Sequence, residues 1–154
     1  FYSVSINVAL GGAQWASVEG RKAHEPVSDC MGAQHTLCCP HDIKGPSAIC
    51  KSVTKIDHSK AGNGTLLNWK FSPAALEGDT GLNNLISLLD TYVQRKGMHS
   101  QFTVASKETL LDAQKNPSEY KDLLVRVAGY SAYFVELSKG LQDDIIGRTE
   151  LNFA

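Results

Sequence analysis

Apolar residues recur at helical spacing along one stretch of the chain, and short strand-like stretches lie on both sides of it. The apolar members are Leu82, Leu85, Ile86, Leu89, Tyr92 and Val93. This spacing places them on one face of a helix. Residues 65–71 and 101–105 are typical of strands, because β-branched and aromatic side chains are frequent in them. The pattern predicts a mixed α/β fold within 154 residues, a length suited to one domain.

Further elements follow the long helix. Gly97 comes directly after Arg95 and Lys96, an arrangement that predicts a helix C-terminus with a glycine cap. Residues 107–115 predict a short helix that stops near Pro117. Residues 123–128 predict a strand, which Gly129 follows at once. The last helix is predicted around 137–146, with Ser138 as its N-cap.

The first half is rich in glycine turns, and we expect strands between them at 3–10, 48–56 and 65–71. We therefore divide the chain into a loop-rich portion, 1–76, and a more regular portion, 77–154. The chain begins with Phe1, inside a predicted strand and without an initiator Met. We interpret it as a fragment from which an upstream catalytic portion is absent.

Charge and composition argue against two classes of partner. There are 15 basic and 16 acidic side chains, so no basic excess points to nucleic acid or to an anionic membrane surface. No apolar run approaches the roughly 20 residues needed to span a bilayer. No secretory signal is recognisable, so we expect a cytoplasmic protein whose four cysteines are reduced thiols.

The stretch 125–132, Val-Arg-Val-Ala-Gly-Tyr-Ser-Ala, resembles the signature of the glycyl radical enzymes. Residues 142–150 also resemble the closing helix of that family. Short motifs upstream follow the family's order: Gly20-Arg21-Lys22, Glu25-Pro26, Gly45-Pro46-Ser47-Ala48, Lys51-Ser52-Val53, Leu67-Asn68 and Gln101-Phe102. The resemblance departs from the family around 28–39, where Asp29 is followed by Cys30 rather than glycine.

The resemblance implies that Gly129 stores the radical. A radical at Cα is stabilised by both flanking peptide groups, which requires a planar Cα that a side chain would crowd. Glycine also adopts backbone geometries closed to other residues. We expect the loop to be buried, which keeps oxygen and water away. Five neighbours are expected to support it: Arg126, Val127, Ala128, Tyr130 and Ser131.

The resemblance further implies the C-terminal part of a ten-stranded α/β barrel with the loop at its centre. No cofactor is expected to be bound. Instead, an S-adenosylmethionine radical activase with an iron–sulfur cluster installs the radical on the glycine. The radical then passes to a cysteine outside this chain, which attacks a small-molecule substrate. We expect the full enzyme to be a homo-oligomer.

The form of the signature is nearer to the dehydratase, decarboxylase and choline-lyase branch than to pyruvate formate-lyase. The expected reaction is therefore anaerobic lyase chemistry that cleaves a C–C or C–heteroatom bond. Within this branch the expectation leans to an arylacetate decarboxylase, similar to 4-hydroxyphenylacetate decarboxylase, or to a diol dehydratase. The alternative is a small non-catalytic subunit that replaces the glycyl radical segment of an oxygen-damaged enzyme.

Other polar clusters have plainer interpretations. His35, Cys38, Cys39 and His41, with Cys50 nearby, form an unusual spacing for zinc, so we expect no metal site. Asp57 and His58 are adjacent, and we expect a surface turn rather than a catalytic pair. Tyr130 and Tyr133 are expected to pack around the loop. Arg126 is expected to make an ion pair or a backbone contact.

Overall fold

The computed structural model describes residues 6–18, 20–32, 35–36, 39–40 and 42–153, with only the backbone at 35–36 and 39–40. The α-helices of this part are α1 (Asn7–Gly12), α2 (Pro46–Val53), α3 (Gly78–Gln94), α4 (Lys107–Lys115) and α5 (Lys139–Gly147). The strands are β1 (His35–Thr36), β2 (Cys39–Pro40), β3 (Asn68–Phe71), β4 (Gln101–Val104), β5 (Leu124–Arg126) and β6 (Ser131–Tyr133). Short 3-10 turns lie at His58–Lys60, Pro73–Leu76, Pro117–Glu119 and Phe134–Glu136.

Strands β3 and β4 form a parallel two-stranded sheet. They pair in parallel, with Asn68 opposite Gln101 and Phe71 opposite Val104. Parallel neighbours need a crossover connection, and helix α3 provides it. The other described pairs, β1–β2 and β5–β6, are antiparallel. The fold is therefore mixed α/β, as predicted, although these two-stranded sheets do not close a barrel.

One hydrophobic core lies between β3, α2 and α3. Its buried members are Ile49, Cys50, Val53, Leu67, Trp69, Phe71, Leu88, Tyr92 and Leu151. The indole of Trp69 meets the ring of Tyr92 edge to face at 6.3 Å and donates from Nε1 to Ser100 Oγ at 2.5 Å. Burial of such large rings supplies much of the stabilisation of a small core. This core contains residues of both the loop-rich portion, 1–76, and the more regular portion, 77–154.

A second core fixes the β5–β6 hairpin against α4 and α5. Its members are Ala105, Leu110, Ala113, Val125, Val127, Phe134, Ile145 and Ile146. Helix α4 begins where Ser106 Oγ accepts a hydrogen bond from the backbone N–H of Thr109 at 3.1 Å, which satisfies one of the unpaired donors of the first turn. The hairpin thus packs against helices α4 and α5, which fix its position.

Several predicted elements are confirmed. Helix α4 has the predicted bounds, and α3 covers the predicted apolar repeat. Strands β3, β4 and β5 lie within the stretches predicted for them but are shorter. The last helix begins after Ser138 as expected, but the Ser138 side chain makes no capping hydrogen bond.

The strand predicted at 48–56 is wrong, because α2 occupies most of that stretch. Gly45, with φ of 80°, turns the chain, and Pro46 starts the helix, where its missing N–H costs nothing. Ile49, Cys50 and Val53 form the buried face. The strand predicted at 3–10 is also wrong over its described part, where α1 begins at Asn7.

The end of α3 differs from its predicted glycine cap. The left-handed residue is Lys96, with φ of 64°, while Gly97 donates its N–H to the carbonyl of Tyr92 at 2.8 Å. A Cβ at Gly97 would lie 2.3 Å from the ring of Tyr92. Glycine is therefore required here for close packing of the backbone against a buried ring. No helix in the described part is long and apolar enough to cross a membrane.

Candidate functional site

The glycine-containing loop closes the β5–β6 hairpin. Arg126 pairs with Ser131 at the end of the two strands. The chain then reverses through residues 127–130, and the backbone N–H of Val127 donates to the carbonyl of Tyr130 at 2.9 Å. Val127 and Ala128 are buried, whereas Gly129 and Tyr130 are exposed. The turn thus presents Gly129 at its outer end.

Gly129 adopts φ of +79°, a left-handed conformation that costs other L-residues about 1–2 kcal/mol. A Cβ added at this position would have only Leu66 Cδ1 nearby, at 3.8 Å. Backbone geometry, rather than lack of space, therefore favours glycine. The expected burial is wrong for this chain by itself, since Gly129 is exposed among the described residues.

Arg126 holds the two sides of the loop together. Its Nε donates to Gln101 Oε1 at 2.6 Å, and one terminal nitrogen donates to Ser131 Oγ at 3.1 Å. Within the described residues, its side chain contacts neutral side chains rather than the expected ion-pair partner or backbone group. The backbone of Arg126 is fixed separately, because its N–H donates to Thr103 Oγ1 at 3.1 Å.

Gln101 and Asn68 belong to the site, although no role was predicted for either. Gln101 Oε1 accepts from the backbone N–H of Gly129 at 3.2 Å, and Gln101 Nε2 donates to Asn68 Oδ1. Asn68 Nδ2 also donates to the carbonyl of Val127 at 3.3 Å. Both residues were part of the collinear short motifs. Their parallel pairing, which brings the two amides side by side, was not visible in the sequence.

A buried ionic cluster lies behind these amides. Asp29 Oδ2 accepts from Asn68 Nδ2 at 2.6 Å and pairs with Arg148 Nε at 3.3 Å. Arg148 also pairs with Asp144 Oδ2 at 3.1 Å, and Asp144 Oδ1 accepts from Asn7 Nδ2 at 2.9 Å. The side chains of Arg148, Asp29 and Asp144 are 6%, 4% and 3% exposed. Buried charges of this kind are stable only when paired.

Arg148 also connects this cluster to the loop. A terminal nitrogen of its guanidinium donates to the carbonyl of Arg126 at 3.0 Å. The end of β5 is therefore held by Thr103 on one side and by Arg148 on the other.

Tyr130 and Tyr133 flank the loop on the surface of the described part. The two residues are 47% and 40% exposed, and their packing around the loop stays a prediction. The exposed surface around Gly129 thus includes aromatic rings as well as the glycine backbone.

Lys70 lies on β3, close to the ionic cluster. Its Nζ donates to the carbonyls of Ile146 and Arg148, each at 3.2 Å, at the C-terminal end of α5. Cations are favourable at that end of a helix. Burial nevertheless lowers the pKa of Lys70 from 10.5 to about 8, since an ammonium group loses hydration when buried.

The remaining clusters do not form a site in the described part. His58 is buried, which corrects the surface turn predicted for it, and it contacts Thr65 Oγ1 at 3.0 Å rather than Asp57. Cys30 and Cys50 are free thiols, and burial raises the pKa of both. The His35–His41 cluster considered for zinc lies outside the described side chains. The side chains that are described contain no group of three metal-ligating residues.

Comparison with known proteins gives the same assignment as the signature. A family model described as glycine radical matches residues 38–135, which include Gly129. The chain is 55% identical over 152 residues to (2S)-3-sulfopropanediol dehydratase of Klebsiella oxytoca, covering 99% of this chain and 18% of that protein. It is 47% identical over 149 residues to trans-4-hydroxy-L-proline dehydratase of Clostridioides difficile, covering 97% of this chain and 18% of that protein.

A solved structure is similar along almost the whole chain. The glycerol-bound form of the B12-independent glycerol dehydratase of Clostridium butyricum matches with a TM-score of 0.89 and 51% identity. The match covers 96% of this chain and 18% of that one. The chain thus spans about a fifth of the length of its relatives. With its signature loop, its fold and these similarities in agreement, the chain belongs to the glycyl radical enzyme family.

Proposed function

We propose that Gly129 stores the radical of an anaerobic glycyl radical lyase. The observation that carries this proposal is the geometry of the loop. Gly129 sits at the signature position with φ of +79°, and its N–H donates to a fixed side-chain acceptor on a neighbouring strand. Loss of one α-hydrogen atom leaves an electron that both flanking peptide groups share. Strands β5 and β6 hold those peptide groups in place.

In this proposal the supporting residues have distinct roles. Val127 anchors the loop in the second core, Ala128 is buried beside it, and Arg126 bridges Gln101 and Ser131 across the open end of the loop. Tyr130 lies on the exposed side, where it contacts the parts of the enzyme that enclose the loop.

The enclosure and the remaining machinery come from outside this chain. The exposure of Gly129 and the 18% coverage of the relatives both support this. We place the chain in the C-terminal part of a ten-stranded α/β barrel. A separate S-adenosylmethionine radical activase removes the hydrogen atom from Gly129. A cysteine of the missing portion then receives the radical and attacks the substrate. The full enzyme is a cytoplasmic homo-oligomer.

For the reaction type, the similarities favour a dehydratase that removes water from a small hydroxylated molecule. The relatives described above are dehydratases, and about half of the residues in the aligned segment are identical to those of this chain. The diol dehydratase type considered from the sequence therefore has more support than the arylacetate decarboxylase type.

Electron paramagnetic resonance tests the radical site. After anaerobic activation, the full-length protein should give an organic doublet that collapses to a narrower signal when the protein is labelled with α-deuterated glycine. A spectrum unchanged by the label overturns the assignment to Gly129. Incubation of the activated protein with 1,2-propanediol, glycerol and 4-hydroxyphenylacetate then separates the reaction types. Aldehyde from a diol supports the dehydratase, and 4-methylphenol supports the decarboxylase.

The replacement-subunit alternative has its own expectation. The loop hairpin and helices α4 and α5 share a core formed within residues 105–146, so the unit that carries Gly129 has internal packing of its own. Under this alternative, the separately activated chain should restore activity to an oxygen-cleaved glycyl radical enzyme. No activity after mixing favours the catalytic enzyme instead.

A further inference from the structure

The backbone N–H of Gly129 has a side-chain acceptor rather than a strand partner. Gln101 Oε1 lies 3.2 Å from that nitrogen and 2.6 Å from Arg126 Nε. Gln101 is only 5% exposed, and the pairing of β4 with β3 fixes its backbone. The acceptor is therefore held in place before any radical forms.

Behind Gln101, the hydrogen bonds run in one direction. Gln101 Nε2 donates to Asn68 Oδ1, and Asn68 Nδ2 donates to the carboxylate of Asp29 at 2.6 Å. Each amide thus donates toward Asp29 and accepts on its other side. The buried carboxylate polarises both amides in the same sense, and chains of hydrogen bonds strengthen one another in this way. Gln101 Oε1 consequently becomes a better acceptor for the N–H of Gly129.

The strength of this bond matters for a radical at the neighbouring carbon. The unpaired electron at Cα is stabilised partly by the lone pair of the amide nitrogen. An acceptor on the N–H increases the electron density available from that nitrogen, and it also keeps the peptide group in one plane. Both effects act on the atom adjacent to the radical.

We propose that Gln101 is a positioning residue for the glycyl radical, and that the amide relay from Asp29 through Asn68 to Gln101 sets the spin distribution and lifetime of the radical at Gly129. The inference rests on the proposed function, since it requires a radical at Gly129. Arg126, which shares the same acceptor oxygen, limits the position that the Gln101 amide can take.

The test uses the full-length protein, labelled with ¹⁵N-glycine and activated anaerobically. Electron–nuclear double resonance then measures the ¹⁵N and N–H proton couplings of the radical, and repeated spectra measure its half-life under argon. In Gln101→Leu the acceptor is lost, so both couplings should shift and the half-life should fall several-fold. Gln101→Glu retains an acceptor oxygen but loses the Nε2 donor to Asn68, so its couplings and half-life should lie between those of Gln101→Leu and the wild type.

Thr103→Val is the matched control. Thr103 is buried on the same strand and bonds the backbone of Arg126, whereas the side chain that bonds the N–H of Gly129 is Gln101. Thr103→Val should lower stability without moving the couplings. If Gln101→Leu fails to fold, amide hydrogen exchange in the unactivated wild type decides the matter. Gly129 should exchange markedly more slowly than its exposed neighbour Tyr130, and equal rates overturn the inference.

The outcomes separate the two proposals. The role of Gln101 is overturned if Gln101→Leu keeps the wild-type couplings, or if Gln101→Glu behaves like Gln101→Leu. In both cases the radical assignment to Gly129 stands. A wild-type protein without a glycine-derived signal overturns the proposed function, and this inference with it.

Discussion

Asn68 and Gln101 lie opposite each other on two parallel strands, and their side-chain amides bond directly beneath the loop that carries Gly129. They are 33 residues apart in the chain, and the crossover through α3 brings them together. Neither side chain is charged. Their importance comes from position, since one amide contacts the loop and the other contacts the buried carboxylate of Asp29.

Replacing Gly129 by alanine should abolish the radical signal and destabilise the protein slightly. The left-handed φ of +79° costs an alanine about 1–2 kcal/mol, while the added Cβ meets nothing closer than 3.8 Å. Spectroscopy after activation and urea denaturation measure the two effects. Gly62→Ala is the control, because its Cβ would meet no atom within 4 Å and its φ is not left-handed. Equal stability of the two variants would contradict the backbone argument.

Air should cut the activated protein at Gly129. Dioxygen adds to a carbon-centred backbone radical, and breakdown of the product cleaves the chain there. Mass spectrometry should therefore find an N-terminal fragment whose last intact residue is Ala128. This fragment should appear only in samples that were activated first. Gly129→Ala, treated identically, should stay intact. An intact wild-type chain that had carried the radical signal before exposure would be inconsistent with this site.

Arg148→Met should be strongly destabilising. The substitution removes the guanidinium that pairs with two buried carboxylates, Asp29 and Asp144, and breaking such pairs costs about 3–5 kcal/mol. Lys139→Met is the matched control, because its pair with Asp143 is exposed and should contribute about 0–1 kcal/mol. Urea denaturation compares the two free energies of unfolding. Similar losses in both variants would show that the buried cluster contributes little.

Lys70 should make the stability depend on pH in the alkaline range. Its pKa is lowered from 10.5 to about 8 by burial, so between these values the unfolded chain binds a proton that the folded chain does not. The free energy of unfolding of the wild type should therefore increase with pH across this window, relative to Lys70→Met, by at most about 1.4 kcal/mol per pH unit.

Denaturation at several pH values between about 7.5 and 9.5 measures this difference. Lys139→Met, which removes an exposed ammonium group, should follow the wild type. A constant difference between the wild type and Lys70→Met would contradict the shift.

The sequence predicted elements best where periodicity was long or capping was clear. Helix α4 follows Ser106 and precedes Pro117, and its predicted bounds are confirmed. Helix α2 was missed because alternation over 53–56 resembled a strand, whereas the buried spacing of Ile49, Cys50 and Val53 is helical. The pattern around Gly97 correctly predicted the end of a helix. Glycine is required there because a Cβ would collide with the ring of Tyr92.

At the candidate site, the signature located the loop and Gly129, because those residues are contiguous in the chain. The supporting amides and the ionic cluster were not predicted. Asp29, Asn68, Gln101 and Arg148 come from four separate segments, and only tertiary pairing brings them together. The exposure of Gly129 was also not predictable from local sequence, since it depends on which parts of the enzyme surround the loop.

The register of the parallel pair β3–β4 places Gln101 beneath the loop that carries Gly129. The length of the segment that connects the two strands is therefore constrained. Side chains alternate between the two faces of a strand, so a slip of β4 by a single residue would turn Gln101 away from the loop. A slip that brings its neighbour Phe102 to this position would offer no acceptor to Gly129. Insertions and deletions between 72 and 100 should therefore be tolerated only where helix α3 or its flanking turns absorb them without changing the register.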